Sequence, residues 1–391
     1  MERFEQMALF GASEGQTPGD DFTPEPNAKG PHVKRGELWR LGRHMLLCGD
    51  ATNPNDVRKV TEGRPMDLVF TDPPYGMSKE RQGVTGDNQH GEQLLTFNKK
   101  WIPLTFDALG PAGSWYCWGN DEVLFDIYSE IIKPAKRRPG ANRINYRGMV
   151  VWNKMAPFGV NSPEMRTYPA ATEKALFCMK GRQDFGQVKA DYFEGFEPIR
   201  QYMEDQRKKT GVTTDELCKI AGATTIAHWW ARSQWEFPNR NRYETLQRNL
   251  RARGLPGFEK SYDELLGIQL GFADSFQEAK AKVYGSRAYF DNTHGLTDVW
   301  NIPNPSSGKE RATAGGHPTI KPLRVCMNAI TSSCPPGGYV LDVFGGSGST
   351  LIACETLGRS CRMIEIEPKW CRVIIQRYEK TFGKKAERVS E

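Results

Sequence analysis

Two short stretches of this chain carry residue types that could do chemistry. The first is Asp72-Pro73-Pro74-Tyr75, directly after Met66-Asp67-Leu68-Val69-Phe70-Thr71. The short apolar run predicts a strand, and in open α/β sheets ligands bind beyond the carboxyl ends of strands. The two prolines fix φ and remove two N–H donors. What remains is a stiff row of acceptors, the Asp72 carboxylate and the Pro73 carbonyl, beside the aromatic plate of Tyr75. Such a row can hold a flat, hydrogen-bearing amine while Tyr75 stacks on the ring that bears it. Without that context the same word is a strand-terminating proline turn.

The second stretch is Asp342-Val343-Phe344-Gly345-Gly346-Ser347-Gly348-Ser349-Thr350. It follows the apolar Tyr339-Val340-Leu341 and opens an expected helix over Ser349–Leu357. A strand that enters a glycine-rich turn before a helix lets a nucleotide-like cofactor approach the backbone. No lysine follows Gly348, so this is not a phosphate loop. Leu351 stands where Gly-x-Gly-x-x-Gly needs its last glycine, which disfavours a dinucleotide. The next strand, Arg362-Met363-Ile364-Glu365, ends in an acid, and an acid at that tip commonly binds ribose hydroxyls. The bland reading is a tight turn flanked by surface acids.

Together these motifs resemble the amino-methyltransferases that modify exocyclic amines in DNA. Asp72-Pro73-Pro74-Tyr75 is similar to that family's catalytic signature. Asp342–Thr350 is similar to its S-adenosylmethionine loop, with Ser349 where threonine is usual. The catalytic word precedes the loop by about 270 positions, the order of the family's circularly permuted β group. Leu46-Leu47-Cys48-Gly49-Asp50 resembles the strand whose acid approaches the cofactor's adenine. His317-Pro318-Thr319-Ile320-Lys321-Pro322 resembles the segment before the loop, with Ile320 in place of the common glutamine. The resemblance covers most of residues 36–180 and 298–385.

The resemblance implies catalytic roles for Asp72, Pro73, Pro74 and Tyr75. It implies cofactor contacts for Asp50, Thr71, Lys321, Pro322, Asp342, Phe344, Gly346, Ser347, Gly348, Thr350 and Glu365. The cofactor would be S-adenosylmethionine and the partner double-stranded DNA, with direct methyl transfer to a base flipped out of the duplex. Aspartate rather than serine at the first position favours adenine N6. Cytosine N4 is the nearest alternative; a DNA-binding protein that has lost catalysis, or a methyltransferase of RNA or of a protein amide, lies further off. No Pro-Cys dipeptide occurs, which argues against C5-cytosine chemistry. Several members of the permuted group act as dimers, but no residue here decides the oligomeric state. The chain shows no nuclease signature, so any restriction nuclease is expected to be separate.

The elements that must position these residues read as an α/β fold. A hairpin over 38–50 precedes a helix at Asn53–Thr61, with Asn53 as cap and Pro54 first. Further strands are expected at Met66–Phe70, Gly113–Trp118, Gly148–Trp152 and Lys174–Met179, with a helix from Glu122 to Ile132 that ends before Pro134. A terminal helix is expected over Trp370–Phe382. Strands separated by helices predict a Rossmann-like, doubly wound, mainly parallel sheet. The length, 391 residues, exceeds the ~250–300 at which one core stops growing, so a second lobe is expected. The chain is expected to divide into a disordered tail (1–30), a first catalytic part (31–189), a helical insert (190–297) and a second catalytic part (298–391). The insert occupies the position of the family's target-recognition domain.

Within the insert, Thr213-Thr214-Asp215-Glu216 has capping-box spacing, and the helix it opens should end at Gly222. A second helix through Ile226–Arg232 would complete a helix-turn-helix. Trp230, Arg232 and Gln234 are the DNA-contact candidates there, with Arg166 and Lys154 nearer the catalytic face. Arginines at 240, 242, 248, 251 and 253 interleave with aromatics, which suits phosphate contact and stacking, although aromatic core and solvated arginines would read the same way. The net charge of +6 allows an anionic partner without demanding one. No apolar run reaches a membrane span and no secretory leader is visible, so a cytoplasmic location is expected. The nine cysteines include no Cys-x-x-Cys pair and read as buried thiols; His228 and His317 lack partners at ligand spacing, so no metal is expected.

Overall fold

The computed structural model describes residues 31–76, 80, 85–139, 142–158, 166, 168–181, 183, 196–231, 235–271, 288–293, 295–304 and 320–389. The N-terminal thirty residues, Arg232, Gln234 and the His317–Thr319 segment, all singled out above, lie outside them. The chain forms two compact units, Arg182–Arg287 and the remainder, so the boundaries fall at 181/182 and 287/288.

The larger unit is built on ten strands: β1 (Leu38–Leu41), β2 (His44–Cys48), β3 (Met66–Thr71), β4 (Leu109–Gly119), β5 (Ile144–Phe158), β6 (Ala170–Lys180), β7 (Val299–Asn301), β8 (Tyr339–Asp342), β9 (Ser360–Glu365) and β10 (Ala386–Arg388). They form one sheet in the order β10-β1-β2-β9-β8-β3-β4-β6-β5-β7. The centre, from β2 to β4, is parallel. β6 runs antiparallel to both of its neighbours, and β1 to β2 and β10, so the sheet is mixed toward its edges.

Both faces of the central strands are apolar, as a sheet covered on both sides requires. On β3, Leu68 and Phe70 face one core and Val69 the other; on β4, Tyr116 and Trp118 alternate with Trp115 and Cys117. Helices α1 (Pro54–Thr61), α2 (Gly91–Ala108) and α3 (from Asp121) cover one face. Helices α4 (Leu323–Ser333), α5 (Ser349–Thr356) and α6 (Pro368–Phe382) cover the other. This is the doubly wound arrangement expected. Asn53 caps α1, its side chain accepting from the Asn55 N–H. All nine cysteines are free and buried. No helix among the described residues is long and apolar enough to cross a membrane.

Two expectations fail here. α2 is eighteen residues long and was not anticipated, because Pro103 inside it breaks the helical signal. α3 does not stop before Pro134. It passes through a wider π turn at Tyr128–Ile132, where the Lys133 N–H bonds back to the Tyr128 carbonyl, and ends at Ala135. The wider turn leads the backbone into a residue that lacks an N–H and would crowd a regular α-turn.

The second unit packs the helices Glu197–Thr210, Thr214–Ile220, Arg240–Ala252 and Tyr262–Gly271 around Met203, Leu217, Ile226, Trp229, Tyr243, Leu250 and Phe258. The capping box forms: Thr213 Oγ1 accepts from the Glu216 N–H and the Glu216 carboxylate from the Thr213 N–H. The second helix of the expected helix-turn-helix does not form. Only a 3₁₀ turn, Ala227–Trp229, follows Gly222. Ile226 and Trp229 are both buried in this unit's core, a three-residue spacing that a 3₁₀ turn serves as well as an α-helix. The arginine-aromatic interleaving separates: Tyr243 is core, whereas Arg242, Arg248, Arg251 and Arg253 are exposed.

In the larger unit Glu355 ties the two ends of the sheet segment together. Its Oε2 accepts from His44 Nε2 at 2.7 Å and pairs with Arg43 at 3.1 Å, and Lys384 pairs with its other oxygen. His44 Nδ1 accepts from the Cys361 N–H, so the neutral ring carries its proton on Nε2. These donors hold the Glu355 carboxyl at about 2. A depressed carboxylate contributes stability above its unfolded pKa and loses it as pH falls through the folded value. Glu355→Ala leaves the buried His44 Nε2–H without its acceptor and should cost about 2 kcal/mol in urea unfolding at pH 7. The difference from wild type should shrink as the pH is lowered from the ordinary glutamate range toward 2; a difference that persists unchanged at low pH would remove the ionic account.

Candidate active site

Because β3 and β8 are adjacent and parallel, with Leu68 beside Val340 and Val69 beside Leu341, their carboxyl ends emerge together. β9 lies next to β8, and β2 next to β9 with Cys48 beside Glu365. Asp72, Asp342, Glu365 and Asp50 thus line one edge, around a cavity of about 730 Å³. That volume falls within the usual range for ligand pockets.

At the glycine turn, Asp342 accepts from the Phe344 N–H at 3.1 Å and from Thr350 Oγ1 at 2.6 Å. Glu365 accepts from the N–H groups of Gly346 and Glu367 at 2.7 and 2.8 Å. The two acids therefore pin both ends of the turn. Gly348 has φ +83°, and a Cβ there would press on Ile374 at 3.0 Å; a Cβ on Gly345 would meet Met363 at 2.8 Å. Burial pushes both carboxyls up to about 7, against the hydrogen bonds that lower them. Acids raised in this way favour a ligand that brings positive charge, and their free lone pairs suit hydroxyl and amino groups. Phe344, held edge-on against Trp101 at 5.0 Å, and Trp370 add apolar wall. A cationic nucleoside without phosphates fits this donor set. Asp50 lines the same end and accepts twice from Thr52, at 2.8 Å each. Ser347 lines the wall as well, whereas Thr71, Pro322 and Gly348 lie behind it. Thr71 Oγ1 is buried without a hydrogen-bond partner among the described residues.

At the other end stands the proline word. Pro73 and Pro74 are buried. Asp87, which sequence reasoning missed, accepts from the N–H groups of Tyr75 and Gly76 at 3.1 and 3.0 Å. Asn120 Nδ2 donates to the Tyr75 carbonyl at 3.0 Å. The word is thereby held on both sides of its backbone. α2 supplies a wall through Gln93, Thr96, Phe97 and Lys100.

Lys321, expected at the cofactor, lines the common cavity, and its ammonium stands beside the proline word. Its Nζ lies 3.2 Å from Asp72 Oδ1 and 2.5 Å from Glu173 Oε2. It also sits over the rings of Trp118 and Trp152, at 4.7 and 5.5 Å. Lys154 Nζ pairs with the other Glu173 oxygen at 2.8 Å. Lys154, one of the DNA-contact candidates, is thus tied into this chain of charges. The Lys321–Asp72 contact is an ion pair without hydrogen-bond alignment, and Asp72 Oδ1 keeps its accepting capacity. Burial pushes the Asp72 carboxyl up to about 6; Lys321 opposes this and Glu173 adds to it. Burial raises Glu173 too, but Lys321 and Lys154 outweigh it and hold it at about 2. Glu173 carried no sequence signal, being a lone acid in a strand. Arg166 is exposed, and Trp230 is half-buried, packed on the helical unit's core with Arg207 5.8 Å over its ring.

A family profile described as DNA methylase, of the N6/N4 methyltransferases, matches residues 66–377. Among curated proteins, a segment of the chain is 34% identical over 85 residues to the Type II methyltransferase M.ScaI of Streptomyces caespitosus, covering 21% of this chain and 28% of that protein. Another is 38% identical over 81 residues to the Type II methyltransferase M2.MboI of Moraxella bovis, covering 21% and 29%. The chain thus spans under a third of the length of these curated relatives. Among solved structures, it resembles an M1.HpyAVI–SAM complex at 16% identity and a TM-score of 0.42, over 85% of this chain and 98% of that one. It resembles the PvuII DNA methyltransferase (cytosine-N4-specific) at 13% identity and 0.42, over 90% and 89%. With a match that runs from the strand carrying Asp72 to the helix behind the glycine turn, the chain belongs to the DNA methylase family of N6/N4 methyltransferases.

Proposed function

We propose that this protein transfers a methyl group from S-adenosylmethionine to the N6 amine of adenine in double-stranded DNA, on a base rotated out of the helix. The observation that carries this reading is the Asp72 carboxylate, steadied by the Lys321 ammonium 3.2 Å from its Oδ1, on the wall of the same cavity as the glycine turn. When bound, S-adenosylmethionine supplies a methyl carbon on a positively charged sulfur. Asp342 and Glu365 fix the turn that would hold it, and Asp50 and Phe344 line the same end.

An aryl amine is a poor nucleophile because its lone pair is delocalised into the ring. Hydrogen bonds from the amine to Asp72 and to the Pro73 carbonyl favour a pyramidal nitrogen and localise that pair. Tyr75 stacks on the base, with its backbone fixed by Asp87 and Asn120. With the cofactor bound, that nitrogen would take the methyl carbon, the C–S electron pair leaving with sulfur. The proton it then sheds passes to Asp72, whose raised pKa suits it to receive one. No covalent adduct between enzyme and base is needed, and catalysis is positioning plus electrostatics. Aspartate in place of serine at position 72 supports adenine over cytosine. The exposed arginines of the helix Arg240–Ala252 are the proposed phosphate contacts.

Purified protein incubated with S-adenosylmethionine and unmethylated genomic DNA should yield N6-methyladenine when the DNA is digested and its nucleosides weighed. N4-methylcytosine would overturn the choice of base, and no methylated nucleoside would overturn the activity. The acceptor role needs ionised Asp72, so with S-adenosylmethionine saturating, and Asp342 and Glu365 thereby engaged, kcat/KM for DNA should fall with an acid limb near pH 6, about tenfold for each unit below it. A profile flat from pH 5 to pH 8 would remove Asp72 from that role.

A further inference from the structure

Behind the proline word Lys154, Glu173, Lys321 and Asp72 form a chain of charges, the last two on the wall of the cavity. Lys321 is 7% exposed, so burying its ammonium needs compensation. Glu173 supplies only part of that, because its other oxygen serves Lys154 and one carboxylate faces two ammoniums. The remaining negative partner is Asp72, 3.2 Å from Nζ, with the Trp118 and Trp152 rings fixing the ammonium from the side. The stem of Lys321 starts on the approach to α4, Glu173 stands on β6 and the rings on β4 and β5. Four separate elements converge on one nitrogen.

We propose that Lys321 is a positioning residue for Asp72. Its ammonium, clamped by Glu173 and the two tryptophans, holds the Asp72 carboxylate in its accepting orientation and keeps it charged. Glu173 acts in the opposite sense on Asp72, because its negative charge repels the same carboxylate directly through space. The pair sets how readily Asp72 takes up and releases a proton. The charged groups that face Asp72 are Lys321, Glu173, Asp87 and Asp342; Tyr75 and Cys117 beside it are neutral, with burial raising both. The inference rests on the proposed role of Asp72 but can be tested without methyl transfer.

The test compares full-length wild type with Lys321→Met, which keeps the apolar stem between the rings, and with Glu173→Gln. The Asp72 carboxyl is followed by carbon NMR in protein labelled at aspartate, assigned by its loss in Asp72→Asn. Lys321→Met should raise the Asp72 pKa by at least about one unit and Glu173→Gln should lower it, the acid limb of kcat/KM moving with each. Lys321→Met should also lower kcat about tenfold or more at pH 7 while S-adenosylmethionine affinity stays within about threefold. Shifts of opposite sign in two variants of one cluster cannot come from a general loss of structure. An unmoved Asp72 titration in Lys321→Met, or a loss of cofactor affinity equal to the loss of turnover, would overturn the proposal. If wild type transfers no methyl group to DNA, the functional reading fails, and the carboxyl titration still decides whether Lys321 controls Asp72.

Discussion

The parallel pairing of β3 with β8 is the constraint on which the rest depends. These strands are separated by most of the chain, yet they are neighbours in register. Parallel neighbours end on the same edge, so the proline word and the glycine turn must open into one space. The strands beside β8 extend that edge: β9 brings Glu365 and β2 brings Asp50. Had β8 been antiparallel to β3, every motif residue would be present and the two halves would face opposite ends of the sheet.

The same placement creates an electrostatic difficulty. Four carboxylates share one edge, and burial there disfavours charge. The protein answers with backbone N–H groups at the glycine turn and with a buried lysine at the proline word. The first device leaves Asp342 and Glu365 raised to about 7, receptive to a cation. The second leaves Asp72 near 6, mostly ionised at neutral pH yet within reach of protonation. Acids along one strand edge are thereby tuned differently by what lies behind them.

Much of this was legible in the sequence because the informative features are local. The apolar runs that become β2, β3, β8 and β9 are short, bounded and followed by turn residues, and the two motifs sit directly at strand ends. What could not be read was whatever depends on side chains meeting across the sheet. Glu173 is an isolated acid in β6 whose partners, Lys321 and Lys154, lie on other elements. Lys321 was singled out by the resemblance of residues 317–322 to a family segment, but its direction is set by Trp118, Trp152 and Glu173. Asp87 and Asn120 bond to the backbone of the proline word, and no spacing announces such contacts. In the helical unit Ile226 and Trp229 keep the three-residue spacing of a buried helical face, but a 3₁₀ turn has that spacing too, and the segment makes only such a turn.

The central claim is that one sheet edge carries two separable half-sites, one for the cofactor and one for the base. Equilibrium dialysis of radiolabelled S-adenosylmethionine against Asp72→Ala and Asp342→Ala, with methyl transfer measured on the same preparations, tests it most directly. The account requires Asp72→Ala to bind the cofactor within about threefold of wild type while transfer falls by about a thousandfold, and Asp342→Ala to lose binding first. Equal loss of binding and transfer in Asp72→Ala would contradict it, because the two halves would then be one site.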